Sequence, residues 1–176
     1  QNLALRKTRD GRFVARPPAQ AIAMLNRLIM SEMETEHYFT LVLADVDLES
    51  GRVILSQAGH PHPAVQRADG TVEFIGAGGL PVGLIDGAEF EQFEVQMGPG
   101  DRLLIHSDGV IECAGQTGAL LQEEGLAAIL RELRQTRGMA LLESLVWKLS
   151  EFAGDAEFND DISGVLLEFK GSGFPG

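Results

Sequence analysis

The sequence predicts an α+β domain in which helices and antiparallel strands occupy separate stretches of the chain. Three observations support this fold class: an amphipathic helix near the start, strands joined by short turns in the middle, and two helices before a final strand. A chain of 176 residues with 44% hydrophobic and 23% charged residues is long enough to form one domain with a sizeable core.

The start of the chain is expected to lead into the domain. Residues 1–16 have no clean hydrophobic period, although Leu3 and Leu5 would suit the end of a helix that begins further upstream. The start is polar and basic and does not suit a signal peptide. Because the sequence lacks an initiator methionine, we expect it to be a piece of a longer protein. The predicted organisation is the end of an upstream helix and a linker at 1–17, the domain at 18–169 and a loose tail at 170–176.

The first predicted helix of the domain covers residues 18–33. Its start fits Pro17-Pro18, because proline is favoured in the first turn of a helix. Apolar residues then recur at helical spacing, namely Ala21, Ile22, Leu25, Leu28 and Ile29. This spacing predicts an amphipathic helix with one buried face.

The middle of the chain predicts strands, most of which pair as hairpins. These stretches are rich in β-formers or alternate apolar and polar residues, and turns such as Glu49-Ser50-Gly51 and Ala68-Asp69-Gly70 separate them. In chain order, the predicted strands are residues 38–47, 52–58, 64–67, 71–75, 90–97 and the apolar run that ends at Asp108.

The last third of the chain is predicted to be helical and then extended. Leucines and isoleucines at helical spacing predict helices over residues 123–136 and 139–153, and a later apolar run predicts a buried strand over 162–169. Trp147 lies off the apolar stripe of its helix. We therefore expect it either to pack against a neighbouring element or to be exposed in an interface.

The charge balance excludes several classes of partner. A net charge of −12 argues against nucleic acid and against an anionic membrane surface, because both attract a basic surface. The single cysteine, Cys113, excludes an intramolecular disulfide and a cysteine-based zinc site. Because a single cysteine is typical of a reducing compartment, we expect a cytoplasmic protein. No apolar run is long enough to span a bilayer.

Two acidic motifs are the main candidates for a functional site. Asp108 and Gly109 follow the apolar run 103–105, and Asp160-Asp161 precede the apolar run 165–167. Two carboxylate-bearing strand ends can meet in space and share a hard cation, and a glycine allows the chain to approach a ligand closely. The alternative for each motif alone is a solvated aspartate in a turn.

Three other features are weaker candidates. Asp45 and Asp47 could bind metal, but their position favours the exit from a strand into a turn. His60 and His62 alternate with prolines, which indicates a rigid loop. The glycine-rich stretch 76–83 lacks a lysine and the spacing of a P-loop, so a tightly turned loop is the better interpretation.

Six short motifs, taken together and in order, resemble one known protein family. The motifs are Asn26-Arg27, Ala58-Gly59-His60-Pro61, Gly79-Leu80-Pro81-Val82-Gly83, Pro99-Gly100-Asp101, Ser107-Asp108-Gly109-Val110-Ile111-Glu112 and Asp160-Asp161-Ile162-Ser163. In this order and spacing, the chain resembles the bacterial stage II sporulation protein E type phosphatase domain over residues 18–169. That domain belongs to the metal-dependent serine/threonine protein phosphatases (PPM).

The resemblance implies an α-β-β-α sandwich of two antiparallel sheets with outer helices. It implies that the complete domain binds two Mn²⁺ or Mg²⁺ ions at one end of the sandwich, where an activated water attacks the phosphorus of a phosphoserine or phosphothreonine in a protein. Asp108 and Asp160 would be the catalytic metal ligands. Ser107, Gly109 and Asp161 would support them.

Two departures from the family pattern qualify this expectation. In the family, further ligands come from a hairpin ahead of a helix that would run into residues 1–8 here, and no Asp-x-x-Gly-His-Gly stretch occurs in this sequence. We therefore expect the chain as given to carry about half of a binuclear site and to bind metal weakly. Ser163 stands where relatives usually have threonine, and it keeps the hydroxyl.

Three functional hypotheses follow. The first is a phosphatase domain, the output domain of a signalling protein, whose substrate is a phosphorylated regulatory protein such as an anti-sigma factor antagonist. The second is a non-catalytic phosphatase-fold adaptor that binds a signalling partner. The third is a small-molecule binding sandwich in which the glycine-rich stretch 76–83 matters more. A homodimer is among the expected assemblies.

Overall fold

The computed structural model of this chain describes residues 2–32, 37–154, 158 and 160–171. The chain divides into two compact units, one formed by residues 1–60 and 76–96 and the other by residues 61–75 and 97–176. None of the helices in these described stretches has the length and apolar character of a membrane span. In chain order, the elements are β1 (Leu5–Lys7), β2 (Phe13–Ala15), α1 (Pro18–Glu32), β3 (Leu41–Val46), β4 (Arg52–Ala58), β5 (Ala64–Gln66), β6 (Val72–Phe74), β7 (Phe93–Gln96), β8 (Arg102–His106), α2 (Asp108–Ile111), α3 (Gln122–Glu132), α4 (Met139–Ala153) and β9 (Gly164–Glu168).

The described part of residues 1–16 does not form the predicted end of a helix. Strands β1 and β2 pair there in an antiparallel hairpin, with Leu5 opposite Ala15. The turn contains Gly11 with a φ of 87°, a conformation that glycine adopts without steric cost. The prediction is wrong because the chain turns back near Gly11 and the backbones of residues 5–7 and 13–15 pair with each other instead of closing a helical turn.

The first unit contains helix α1 and a three-stranded antiparallel sheet in the order β3-β4-β7. The predicted helix 18–33 is confirmed as far as Glu32. β3 begins at Leu41 and β7 covers Phe93–Gln96, so both strands are shorter than predicted. The buried centre of this unit consists of Ile22, Ala58 and Val82, with partly buried apolar residues packed around it.

Helix α1 also holds the end of the glycine-rich stretch. The Asn26 side chain is fully buried, yet both ends of its amide are hydrogen-bonded. Its Oδ1 accepts a hydrogen bond from Gly83 N at 2.7 Å, and its Nδ2 donates to Ile85 O at 2.9 Å. A polar residue is tolerated on the buried face of α1 because its amide has these partners.

The second unit contains a four-stranded antiparallel sheet in the order β6-β5-β8-β9, together with helices α2, α3 and α4. The hairpin of β5 and β6 and both long helices occur where the sequence predicted them, although α3 ends at Glu132. One hydrophobic cluster fills this unit. Its fully buried members include Leu104, Leu126, Leu141 and Leu149.

A row of three polar side chains crosses this sheet and attaches α3 and the connection between α3 and α4 to it. Gln66, Arg102 and Glu168 are register partners on β5, β8 and β9. The Arg102 guanidinium donates to Thr136 O at 2.6 Å and to Arg134 O at 2.8 Å. On either side of Arg102, Gln66 Nε2 donates to Leu130 O at 2.7 Å, and Gly138 N donates to Glu168 Oε2 at 3.0 Å.

Candidate functional site

Asp108 is carried outward at the end of a buried strand. β8 ends at His106, and the chain then turns through Ser107 into the short helix α2, whose first residue is Asp108. Asp108 is exposed, and its Oδ1 accepts a hydrogen bond from Gly109 N at 3.1 Å. The predicted arrangement of a rigid strand that leads to an outward-facing acid is therefore present.

The second acidic motif reaches the same place from β9. Because Gly164 on β9 lies opposite His106 on β8, the residues just before β9 lie beside those just after β8. Ser107 N donates to Ser163 O at 3.0 Å, and Ser163 N donates to Ser107 Oγ at 3.0 Å. Ser107 Oγ in turn donates to Asp161 O at 2.9 Å. The predicted convergence of the two motifs is thus confirmed for their backbones.

Gly109 allows this close approach. A Cβ atom at position 109 would lie 2.6 Å from the carbonyl oxygen of Asp161 and 3.2 Å from that of Asp160. The first distance is shorter than Cβ atoms show in proteins, so any larger residue would displace the Asp160-Asp161 segment. Glycine is required here by space.

Asp108, Asp160 and Asp161 are exposed, and carboxylates are the ligand type that a hard divalent cation prefers. Mg²⁺ commonly takes one or two carboxylates and completes its coordination with water and phosphate oxygens. Within the described residues, no group of three or more His, Cys, Asp or Glu side chains is arranged to hold a metal ion. The role of these three aspartates as ligands stays a prediction.

Two of the weaker candidates have structural contacts of their own. Asp47 Oδ1 accepts hydrogen bonds from Glu49 N at 2.9 Å and Ser50 N at 3.2 Å, as expected for a residue that stabilises the turn after β3. His62 Nδ1 lies 2.7 Å from Glu123 Oε1. This contact holds the His62 loop to the first turn of α3.

The glycine-rich stretch lines a cavity of about 360 Å³ in the first unit. Its lining includes Glu89, Glu91 and Phe93, and no lysine or arginine among the residues that the structure describes. Carboxylates would repel a phosphate, so the cavity does not have the chemistry of a phosphate cradle. The interpretation of 76–83 as a turned loop is consistent with this lining.

The sequence did not reveal how Ser107 joins the two motifs. Ser163 was notable for its hydroxyl, whereas its contacts to Ser107 are made by its backbone N and O. A usable signal existed in the two apolar runs that became β8 and β9. Antiparallel pairing of these runs places residue 107 beside residue 163.

The chain is similar to several bacterial phosphatases. It is 24% identical to the phosphoserine phosphatase RsbU of Bacillus subtilis (strain 168) over 154 residues, which are 87% of this chain and 45% of RsbU. It therefore spans less than half of the length of that relative.

Solved structures show the same fold. The SiaA-PP2C domain of Pseudomonas aeruginosa matches with a TM-score of 0.74 at 20% sequence identity, over 88% of this chain and 62% of that domain. The Mn-presoaked phosphatase domain of the cell fate determinant SpoIIE from Bacillus subtilis matches with a TM-score of 0.68 at 21% identity, over 88% of this chain and 66% of that one. The predicted α+β fold class of the PPM phosphatases is confirmed.

The family relationship extends over nearly the whole chain. The family model described as stage II sporulation protein E (SpoIIE) matches residues 2–170. This match confirms the resemblance that rested on six short motifs. The chain belongs to the stage II sporulation protein E family.

Proposed function

We propose that this chain is the catalytic domain of a metal-dependent protein phosphatase that acts on phosphoserine or phosphothreonine. The observation that carries the proposal is the hydrogen-bonded junction between Ser107 and the segment 161–163, which joins the motifs of Asp108 and Asp160. Family membership supports the same reaction class, because the relative RsbU is named a phosphoserine phosphatase.

Asp108 and Asp160 are the side chains that we propose as metal ligands, with Asp161 beside them. When bound, Mn²⁺ or Mg²⁺ would lower the pKa of a coordinated water and neutralise charge on the phosphoryl oxygens. The contribution of the chain is to hold carboxylates on adjoining segments, where their mutual repulsion favours a cation between them. Rigid β8 and β9 limit how far the two segments can separate.

We further propose that the complete domain uses two such ions and that its substrate is a phosphorylated regulatory protein, such as an anti-sigma factor antagonist. The similarity to RsbU, which is named a phosphoserine phosphatase, supports a phosphoserine substrate. The exposed position of Asp108 and Asp160 suits a phosphorylated residue on a protein surface. A deep small-molecule pocket would instead bury them.

The test compares Asp108→Asn and Asp160→Asn with the parent in the full-length protein. The measurement is Mn²⁺-dependent phosphate release from a phosphorylated anti-sigma factor antagonist and from a phosphoserine peptide. Each variant should fold normally by circular dichroism and release phosphate only at background level, because the loss of a ligand charge removes both metal affinity and water activation. Asp86→Asn, an exposed aspartate in the loop before β7, is the matched control. Near-normal turnover in either ligand variant would refute the assignment.

The adaptor hypothesis has one observation in its favour, the lack of a three-ligand group among the described residues. It makes the opposite prediction in the same assay. The full-length protein would bind the phosphorylated partner, measured by calorimetry, while phosphate release would stay at background with or without Mn²⁺. Mn²⁺-dependent release by the parent would therefore exclude it.

A further inference from the structure

We propose that Ser107 is a positioning residue for the metal site, because its hydroxyl sets the spacing between the Asp108 motif and the Asp160-Asp161 motif. This inference rests on the proposed function. It assigns to Ser107 no contact with the metal or the substrate.

The first argument is the direction of the Ser107 hydroxyl. Ser107 has extended backbone angles, with φ −70° and ψ 164°, at the N-cap of α2. A serine in that position usually accepts a hydrogen bond from the first turn of its own helix. Here the side chain makes no such cap, and its oxygen bonds to residues that lie more than fifty positions later in the chain.

The second argument is that the bonds need a hydroxyl. Ser107 Oγ donates to Asp161 O at 2.9 Å and accepts from Ser163 N at 3.0 Å. Only a group that is both donor and acceptor can hold both partners at once, which serine and threonine can do and alanine cannot. The two bonds reach Asp161 and Ser163, the residues on either side of Ile162. They therefore fix the backbone conformation of the segment that follows Asp160.

The third argument is the tightness of the junction. Ser107 N also donates to Ser163 O at 3.0 Å, and Gly109 packs against the Asp161 carbonyl. Side chains that orient metal ligands without touching the metal commonly change metal affinity by 10–100-fold when they are lost. We expect Ser107 to act in this way through the backbone of the second motif.

The experiment measures Mn²⁺ affinity directly in the full-length protein. The electron paramagnetic resonance signal of free Mn²⁺ is followed during titration of the parent, Ser107→Ala and Ser107→Thr. Ser107→Ala should bind Mn²⁺ about 10-fold more weakly or worse, and Ser107→Thr should stay within about 3-fold of the parent. Ser150→Ala is the matched control, because the Ser150 hydroxyl donates locally within α4, to Val146 O at 3.1 Å.

A second readout does not involve metal. Amide hydrogen exchange at Ser163 in the metal-free protein should accelerate in Ser107→Ala and not in Ser107→Thr, since Ser163 N donates to Ser107 Oγ. If Ser107→Ala fails to fold, Ser107→Cys replaces it, because a thiol keeps the volume and is a weak hydrogen-bonding group. Asp108→Asn is titrated in parallel.

The outcomes separate the two proposals. If Asp108→Asn binds Mn²⁺ as the parent does, or the parent binds none, the metal site and the role of Ser107 both fail. If Asp108→Asn loses affinity while Ser107→Ala matches the parent, only the positioning role is overturned. Equal losses in Ser107→Ala and Ser107→Thr would also overturn it, because the hydroxyl would then not be the cause.

Discussion

The Arg67 guanidinium and the Asp101 carboxylate lie 3.0 Å apart, Nη1 to Oδ2, and join the β5-β6 hairpin to the turn before β8. The same carboxylate accepts hydrogen bonds from Ala68 N and Gly98 N, each at 2.9 Å. The Asp101 side chain is 9% exposed and that of Arg67 is 29% exposed. The hydrogen bond from Arg67 to Asp101 is the main cause that raises the pKa of Arg67.

We expect Asp101→Ala to lower the free energy of unfolding by about 2–3 kcal/mol. Hydrogen bonds to a charged group contribute about 1.5–3 kcal/mol, and the two backbone donors would lose their acceptor. Urea denaturation at pH 7 measures the change. Asp69→Ala is the control, because Asp69 lies in the same hairpin, is exposed and bonds locally to Thr71, whose N donates to Asp69 Oδ1 at 2.8 Å. Equal decreases in the free energy of unfolding of the two variants would show that the hydrogen bonds to Asp101 stabilise the fold no more than the exposed turn at Asp69 does.

Arg102→Met should destabilise the second unit by about 3 kcal/mol. The substitution keeps the apolar stem and leaves the carbonyls of Arg134 and Thr136 without their donor. Hydrogen exchange should also accelerate in the connection between α3 and α4, which this guanidinium attaches to the sheet. The control is Arg131→Met, since Arg131 is exposed on α3. Unchanged exchange in the connection would contradict the role of the polar row.

Asp47 gives a prediction for pH. Hydrogen bonding by the Ser50 side chain, and then by the backbone of Ser50 and Glu49, lowers the pKa of Asp47. A lowered pKa in the folded state stabilises the fold above the pKa of the unfolded chain, and this contribution is lost as pH falls through the folded-state value. An NMR titration should place the Asp47 midpoint below that of an ordinary aspartate. In Asp47→Asn, the acid-side slope of stability should be smaller. An ordinary midpoint would contradict the turn geometry.

Trp147 is the only tryptophan of the chain, and it is 65% exposed. Of the two expectations for it, packing against a neighbouring element is therefore wrong for this structure, while a role in an interface stays a prediction.

We expect tryptophan emission typical of an indole in water, efficient quenching by iodide, and an unchanged melting temperature for Trp147→Ala. Leu149→Ala, a buried position on the same helix, should cost about 2–5 kcal/mol. If iodide quenching of Trp147 weakens as protein concentration rises, Trp147 lies in an interface between copies of this chain. If iodide quenches the emission poorly even in dilute solution, the exposure of Trp147 is contradicted.

Long periodic elements were predictable from the sequence, and pairing partners were not. Helices α1 and α4 follow from apolar residues at helical spacing, and this local pattern is enough to define a buried face. The hairpin of β1 and β2 was missed because two short strands carry too few residues to show their period. The position of Ser107 could not be predicted from local patterns, because a hydrophobic run indicates a strand and not which strand lies beside it. The run 165–167 also forms a less buried strand than predicted, with Val165 exposed in β9.

The contact between Gly109 and Asp161 has a consequence for how this family can diverge. Every substitution of glycine adds at least a Cβ atom, and that atom would fall 2.6 Å from the Asp161 carbonyl oxygen. No substitution at position 109 is therefore expected to be neutral while residues 160 and 161 keep their present position. A lineage must release that segment before or together with any change at 109. We expect a larger residue at this position to identify, from sequence alone, relatives that have lost the site.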